Sequence, residues 1–223
     1  MGHLLELSLL FVQAFIIGLS GAMMPGPLLA VTITESSRRG AKAGPMIVFG
    51  HMILESALVA AVALGVAEFL KNAAIMSAIS VVGGAVLCWM GVGMIRSARA
   101  GLSLAAAAGA EQGMHPVAAG IVVSLSNPYW TFWWVTIGIN YVLMSLKFGW
   151  VGVVTFFAGH IMADLAWYGL VSTGVARGRS FLSDRVYRRI IFACGVVLVG
   201  FSVWFFWTAA HPPVQVPEQA SVR

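Results

Sequence analysis

Gly50-His51-Met52-Ile53-Leu54-Glu55 and Gly159-His160-Ile161-Met162-Ala163-Asp164 repeat one pattern: a glycine, a histidine and, four residues on, a carboxylate, each inside a long apolar run. Positions four apart share a helix face, so each segment offers an imidazole beside a carboxylate. Such a pair can hold and pass a proton, because histidine titrates near neutral pH and the carboxylate takes or gives the proton. The same four groups, His51, Glu55, His160 and Asp164, are also a donor set for a divalent metal. An ionisable group at the centre of a bilayer costs about 2.5 to 3.5 kcal/mol on insertion scales and persists mainly where it functions. A transporter is the first reading.

The elements that carry these pairs must be membrane helices. The 223 residues are 60% hydrophobic and only 9% charged, with a mean hydropathy of +0.91. That leaves too little polar surface for a water-soluble fold of this size. Apolar runs of spanning length, about 20 residues, lie near 7–34, 44–67, 74–96, 115–142, 150–174 and 188–210, which predicts six transmembrane helices. Arg38-Arg39-Gly40, Glu68 to Lys71, the linker 97–114, Lys147 and Arg177 to Arg189 punctuate them, and the Pro-rich 211–223 reads as a disordered tail. The first run is too long for a signal peptide and is preceded by Glu6 rather than a basic residue, so it reads as a retained helix. Cys88 and Cys194 lie in apolar runs, where each serves as a small hydrophobe and no disulfide is expected.

The net charge of +5 does not point to nucleic acid, because the basic residues sit in short clusters between apolar runs. Counting them sets the topology. Arg38, Arg39, Lys42, Arg96, Arg99 and the five arginines between 177 and 189 fall on one side, ten in all, against Lys71, Lys147 and Arg223 on the other. The positive-inside rule then places both termini outside the cytoplasm and the 97–114 linker inside, in a multi-pass protein of the inner or plasma membrane.

The repeat extends beyond the acid pairs. Met24-Pro25-Gly26-Pro27 in the first run answers Ser126-Asn127-Pro128 in the fourth, and Gly83-Gly84 in the third answers Gly195 in the sixth. Two three-helix units, 7–96 and 115–210, in one membrane domain 1–223 must enter from opposite sides, which makes them inverted. Inverted halves with interrupted helices are a recipe for secondary transporters that bind cargo at the midplane. Glu55 and Asp164 fall about 11 and 14 residues into their helices, roughly 17 to 21 Å deep. Proline lacks an N–H, so carbonyls near Gly21 to Met23 and around Ser124 are expected to lose partners. A half-helix N-terminus exposed at each break suits an amino-acid carboxylate. Pro25, Gly26, Pro27, Ser126, Asn127, Pro128 and Tyr129 are therefore the candidate cargo site, with Asn127 able to bond either end of a zwitterion.

Each feature has a plainer structural reading. A single proline in a membrane helix is a tolerated kink, and a His-carboxylate pair is interhelical glue. Tyr129, Trp130, Trp133 and Trp134 read better as packing than as a gate. Gly83, Gly84, Gly91 and Gly93 allow close helix approach. The arginines from 177 to 189 are topological, with contact to anionic lipid as a secondary effect.

Pro-Gly-Pro-Leu-Leu-Ala at 25–30, Arg-Arg-Gly at 38–40, Ser-Asn-Pro at 126–128 and the two Gly-His pairs together resemble the LysE-type amino-acid exporter family of the LysE/RhtB-like superfamily, over roughly residues 8–208. The resemblance implies proton-driven export of amino acids or similar small metabolites on a six-helix scaffold, and no enzyme activity or cofactor. Its partners would be the small-molecule cargo, protons and membrane lipid, with no nucleic acid, and a homo-oligomer is left open. One departure concerns cargo: Tyr129, flanked by tryptophan, stands where the family carries a lysine or other polar residue. That points away from basic amino acids. Two other readings stay open: a divalent metal exporter using His51, Glu55, His160 and Asp164, and an intramembrane enzyme, either a hydrolase on those ligands or a thiol-disulfide carrier. The carrier would need its cysteines beside the helix breaks, where Cys88 and Cys194 are not.

Overall fold

The computed structural model describes residues 2–66, 73–103, 114–178 and 183–210, all of whose regular structure is helical. The 211–223 tail, Glu68 to Lys71 and the centre of the 97–114 linker lie outside the described residues. Helix α1 spans Gly2–Ala22, α2 Pro27–Arg39, α3 Ala43–Ala61, α4 Ala73–Arg99 and α5 Pro116–Leu125. Then come α6 at Pro128–Trp133, α7 at Ile139–Ser145, α8 at Gly149–Arg177 and α9 at Asp184–Ala210. Among the described residues, five segments are long and apolar enough to cross a membrane: Gly2–Ala22, Ala43–Gly65, Ser80–Arg99, Tyr129–Arg177 and Asp184–Trp207. The sequence predicts six spans; the fourth run instead divides at Asn127, which leaves Pro116–Leu125 as a short helix of 10 residues.

Both expected helix breaks are present, and proline makes them. Helix α1 ends at Ala22 and α2 begins at Pro27; α5 ends at Leu125 and α6 begins at Pro128. Proline starts a helix at no cost because the first N–H groups have no intrahelical partner. The breaks free fewer carbonyls than expected. Met24 N–H donates to Gly21 O at 3.2 Å, and Asn127 N–H donates to Ser124 O at 3.0 Å, so a tighter turn recaptures both groups. Asn127 also caps α6, its Oδ1 accepting from Tyr129 N–H at 3.2 Å.

Helix α2 differs from the spans. It carries Thr32, Thr34, Glu35, Ser36 and Ser37 and ends at Gly40, whose φ of 81° stops it. Its buried Glu35 takes Arg38 at 2.9 Å and Arg39 at 2.6 Å, so one carboxylate is neutralised by two guanidinium groups. Thr34 Oγ1 meets Tyr187 OH of α9 at 2.9 Å, and the Ser172 hydroxyl of α8 donates to Ala41 O at 2.9 Å.

The helices pair through glycine. A Cβ on Gly50 of α3 would collide with the Val117 carbonyl of α5, and one on Gly120 of α5 with the Ile47 carbonyl of α3. A Cβ on Gly159 of α8 would lie 2.5 Å from the Phe11 carbonyl of α1, and Gly91 of α4 and Gly195 of α9 each abut the other's carbonyl in the same way. Small residues let backbones approach where lipid supplies no hydrophobic drive for association. The outer surface is apolar: Leu4 at 73%, Leu64 at 76% and Trp89 at 77% exposure would be untenable in water over so many helices. Gly120→Val should therefore cost about 1 to 3 kcal/mol or more from overpacking and lower the melting temperature in detergent. Gly93→Ala, with open space at its Cβ position, should leave it unchanged.

Candidate functional site

Helices α3 and α8 bring the two acid pairs together. His51, Glu55, His160 and Asp164 each offer a ligand-type atom within 4.8 Å of the others, and none is more than 6% exposed. Glu55 is the hub. Its Oε1 lies 2.9 Å from His51 Nε2 and accepts from the indole N–H groups of Trp130 at 2.9 Å and Trp134 at 2.7 Å. Its Oε2 lies 3.0 Å from His160 Nε2. Indole nitrogen only donates, so the two indole contacts favour an unprotonated Oε1, and Oε2, which has no indole donor, is the favoured place for a proton on Glu55.

Local structure aims these groups. Between α6 and α7 the chain widens into a π turn over Trp134–Gly138, closed by Ile139 N–H donating to Trp134 O. A Cβ on Gly138 would overlap the Trp134 ring, so the glycine gives that indole room to turn toward Glu55. Insertions of this type concentrate at functional sites. On α1, a Cβ on Gly18 would sit 3.0 Å from His160 Nδ1, and one on Gly21 would sit 3.2 Å from Trp133 Nε1. The His160 ring stacks on Trp133 with centroids 4.7 Å apart and meets Trp134 edge-on at 5.4 Å.

The two histidines are not equivalent. His51 Nδ1 lies 2.7 Å from Ser124 Oγ, a hydroxyl that can donate to a neutral ring or accept from a protonated one. Among the described residues, His160 Nδ1 is buried with no hydrogen-bond partner, as are Asp164 Oδ2 and Trp133 Nε1. Asp164 Oδ2 stands 3.6 Å from His160 Nε2 and 3.8 Å from His51 Nε2, beyond hydrogen-bond length. An acceptor buried without a donor is costly, about 1 to 3 kcal/mol. Asp164 is thus the open position of the cluster.

A cavity of about 50 Å³ joins the cluster to both chain breaks. Gly21, Met24 and Gly26 reach it from the first break, and Asn127 and Tyr129 from the second; Trp130, Trp133 and Tyr168 add aromatic walls. Of the sequence candidates, Gly26, Asn127 and Tyr129 join the four ionisable groups in this wall. Pro27 and Ser126 line two different outer grooves, and Pro25 lies outside the cavity lining. Pro128 contributes the start of α6. Ser124, Trp130 and Trp134 form polar contacts that the packing reading of the tryptophans missed. Their signal was the i,i+4 spacing of Trp130 and Trp134 directly after the break.

As a metal site the cluster is half built. The donors are right and Ser124 orients His51, but metal-bound histidine ordinarily donates its other N–H to an acceptor, and His160 Nδ1 has none. Trp134→Phe should remove one donor from the Glu55 carboxylate and cost about 1.5 to 3 kcal/mol, read as a lower melting temperature. Trp204→Phe on α9, whose ring packs on Phe132, should cost less.

The chain is 26% identical over 196 residues to "Chemotactic transduction protein ChpE" of Pseudomonas aeruginosa, covering 86% of this chain and 95% of that one. It is 21% identical over 197 residues to "Putative amino acid efflux protein YcgF" of Bacillus subtilis, covering 88% and 94% respectively. No solved structure matches it. The family model described as LysE type translocator matches residues 19–208, and the chain belongs to that family.

Proposed function

We propose that the chain is a secondary-active exporter of an amino acid or similar small metabolite, coupled to the proton gradient through His51, Glu55, His160 and Asp164. The observation that carries this reading is the cavity that joins both helix breaks to the four ionisable groups. The exporter family and the efflux name borne by the Bacillus subtilis relative support it. Helix pairing supports an inverted repeat beneath it. The glycine contacts join α1 to α8, α3 to α5 and α4 to α9. Exchanging the two proposed halves turns the first pairing into the second and leaves the third in place, as an internal twofold requires. Six spans follow if α5 through α7 cross as one broken helix. The ten-to-three distribution of basic residues argues for termini outside the cytoplasm.

The geometry suggests how coupling works. Trp130 and Trp134 hold Glu55 Oε1, leaving Oε2 to exchange a proton with His160 Nε2. His160 faces Asp164 Oδ2, so the route runs Glu55, His160, Asp164. Asp164, the acceptor with no hydrogen bond, takes either a proton or the ammonium of the cargo. One site serving two cations in turn is the basis of exchange: the proton must leave before cargo binds. The cargo carboxylate lies toward the first turn of α2, where Gly26 supplies no side-chain cap to the backbone donors.

Proteoliposomes with an imposed pH gradient test this. Glu55→Gln should fold, because its amide oxygen can face the indole donors, yet should lose gradient-driven amino-acid transport while cargo exchange without a gradient survives. Asp164→Asn should lose both. Full gradient-driven transport by the double variant would mean the cluster is structural. Movement of zinc, with no amino-acid flux, would replace this reading by metal transport.

A further inference from the structure

We propose that the cleft between the C-terminal end of α4 and the first turns of α9 is a binding site for the phosphodiester head of an anionic phospholipid. Arg99 on α4 and Arg185, Arg188 and Arg189 on α9 surround a cavity of about 250 Å³ whose remaining walls are Ala98 and Phe192. Nothing in the proposed transport route uses it. The glycine crossing at Gly91 and Gly195 holds the two helices together, so the four arginines line one cleft on a fixed scaffold.

Three observations point to an anion. First, four arginines line one small cleft, and the single carboxylate in the first turn of α9, Asp184, leaves an excess of positive charge there that a bound anion would offset. Second, Arg185 lies in the first turn of α9 and Arg188 and Arg189 in the turn after it, beside the end at which a helix dipole disfavours cations. Topology needs positive charge on this side of the membrane, but it does not need the charge in the first turns or gathered around a cleft. Third, all four are arginine, whose planar fork matches phosphate oxygens two at a time, whereas a lysine would serve topology equally. The Arg99 guanidinium also sits 5.5 Å from the Phe192 ring centroid, which orients it at the cleft wall.

A lipid fits better than free phosphate because the cleft continues into an apolar track. Arg185, Arg189, Phe192 and Val196 succeed one another at spacings of four, three and four along α9, which places them on one stripe. Val196 is 48% exposed and Val203, further along, 64%. An acyl chain laid on this stripe would leave the headgroup among the arginines, the arrangement expected of basic pockets at membrane-helix ends.

The test uses the full-length protein in nanodiscs with equal phosphatidylglycerol and phosphatidylcholine, released for native mass spectrometry. The wild type should retain phosphatidylglycerol preferentially. Arg99→Gln with Arg189→Gln should weaken retention roughly twenty-five-fold, about fivefold for each charge. Arg99→Lys with Arg189→Lys keeps the topological charge and should lose less, which carries the test if the Gln pair inserts poorly. Equal retention of phosphatidylcholine by the wild type overturns the proposal whatever the variants do. So does unchanged retention in folded Gln variants. Displacement of the lipid by inorganic phosphate alone would identify a free-phosphate site instead.

Discussion

One carboxylate at membrane depth organises the interior of this protein. Glu55 is 1% exposed and has four nitrogens around it, from His51, His160, Trp130 and Trp134. A carboxylate without such partners would cost several kcal/mol in a medium that offers no water. Each partner comes from a different constraint. His51 shares its helix, His160 requires α8 to lie against α3, and the indoles require α6 and its π turn to project across the cavity. The break at Asn127–Pro128 lets α6 leave the line of α5, and Gly138 clears space for the Trp134 ring. Backbone irregularity, usually excluded from hydrocarbon, is tolerated because it lines a polar cavity.

Close approach is the second constraint. The side chains at the core could not meet at 2.7 to 3.0 Å if the helices stood a full side chain apart. Gly50, Gly120 and Gly159 remove that obstacle where carbonyls of the neighbouring helix press in, and van der Waals contact between backbones replaces the hydrophobic drive that lipid cannot supply. Gly18 and Gly21 do the same for the rings of His160 and Trp133. The glycines and the ionisable groups therefore form one device: one brings the helices near, the other needs them near.

Much of this was legible in the chain, for identifiable reasons. Ionisable groups stand out in apolar runs, and proline has no N–H, so the acid pairs and both breaks announce themselves. The meeting of the four groups rested on the matched spacing of two segments. What escaped depends on direction rather than identity. Trp130 and Trp134 bond a carboxylate 75 and 79 residues away, and no local pattern tells an indole that packs from one that donates. Ser124 was read only for its carbonyl, whereas its hydroxyl meets His51. The span count differs because the apolar run 115–142 continues straight through Pro128, where the helix breaks, whereas the turn at Gly149, with φ of 63°, was already marked in the sequence by Lys147.

The two Gly-His-x-x-x-acid segments look interchangeable as sequence, yet the fold gives them different chemistry. Glu55 is saturated with donors, and His51 beside it is hydrogen-bonded whichever way its proton count stands, because the Ser124 hydroxyl both donates and accepts. Asp164 Oδ2 and His160 Nδ1, in the other segment, have no hydrogen-bond partner among the described residues. A cluster in which every group was satisfied would be a structural clasp, rigid and closed to ligands. A cluster in which none was satisfied would not pack. Here a fully bonded half holds the geometry fixed while the under-bonded half faces the same cavity, which in the proposed function is where a mobile cation would sit. That division favours a working site over glue, and it rests on the tryptophans: by occupying Oε1 from one side, they leave Oε2 to face His160 and, through it, the open carboxylate.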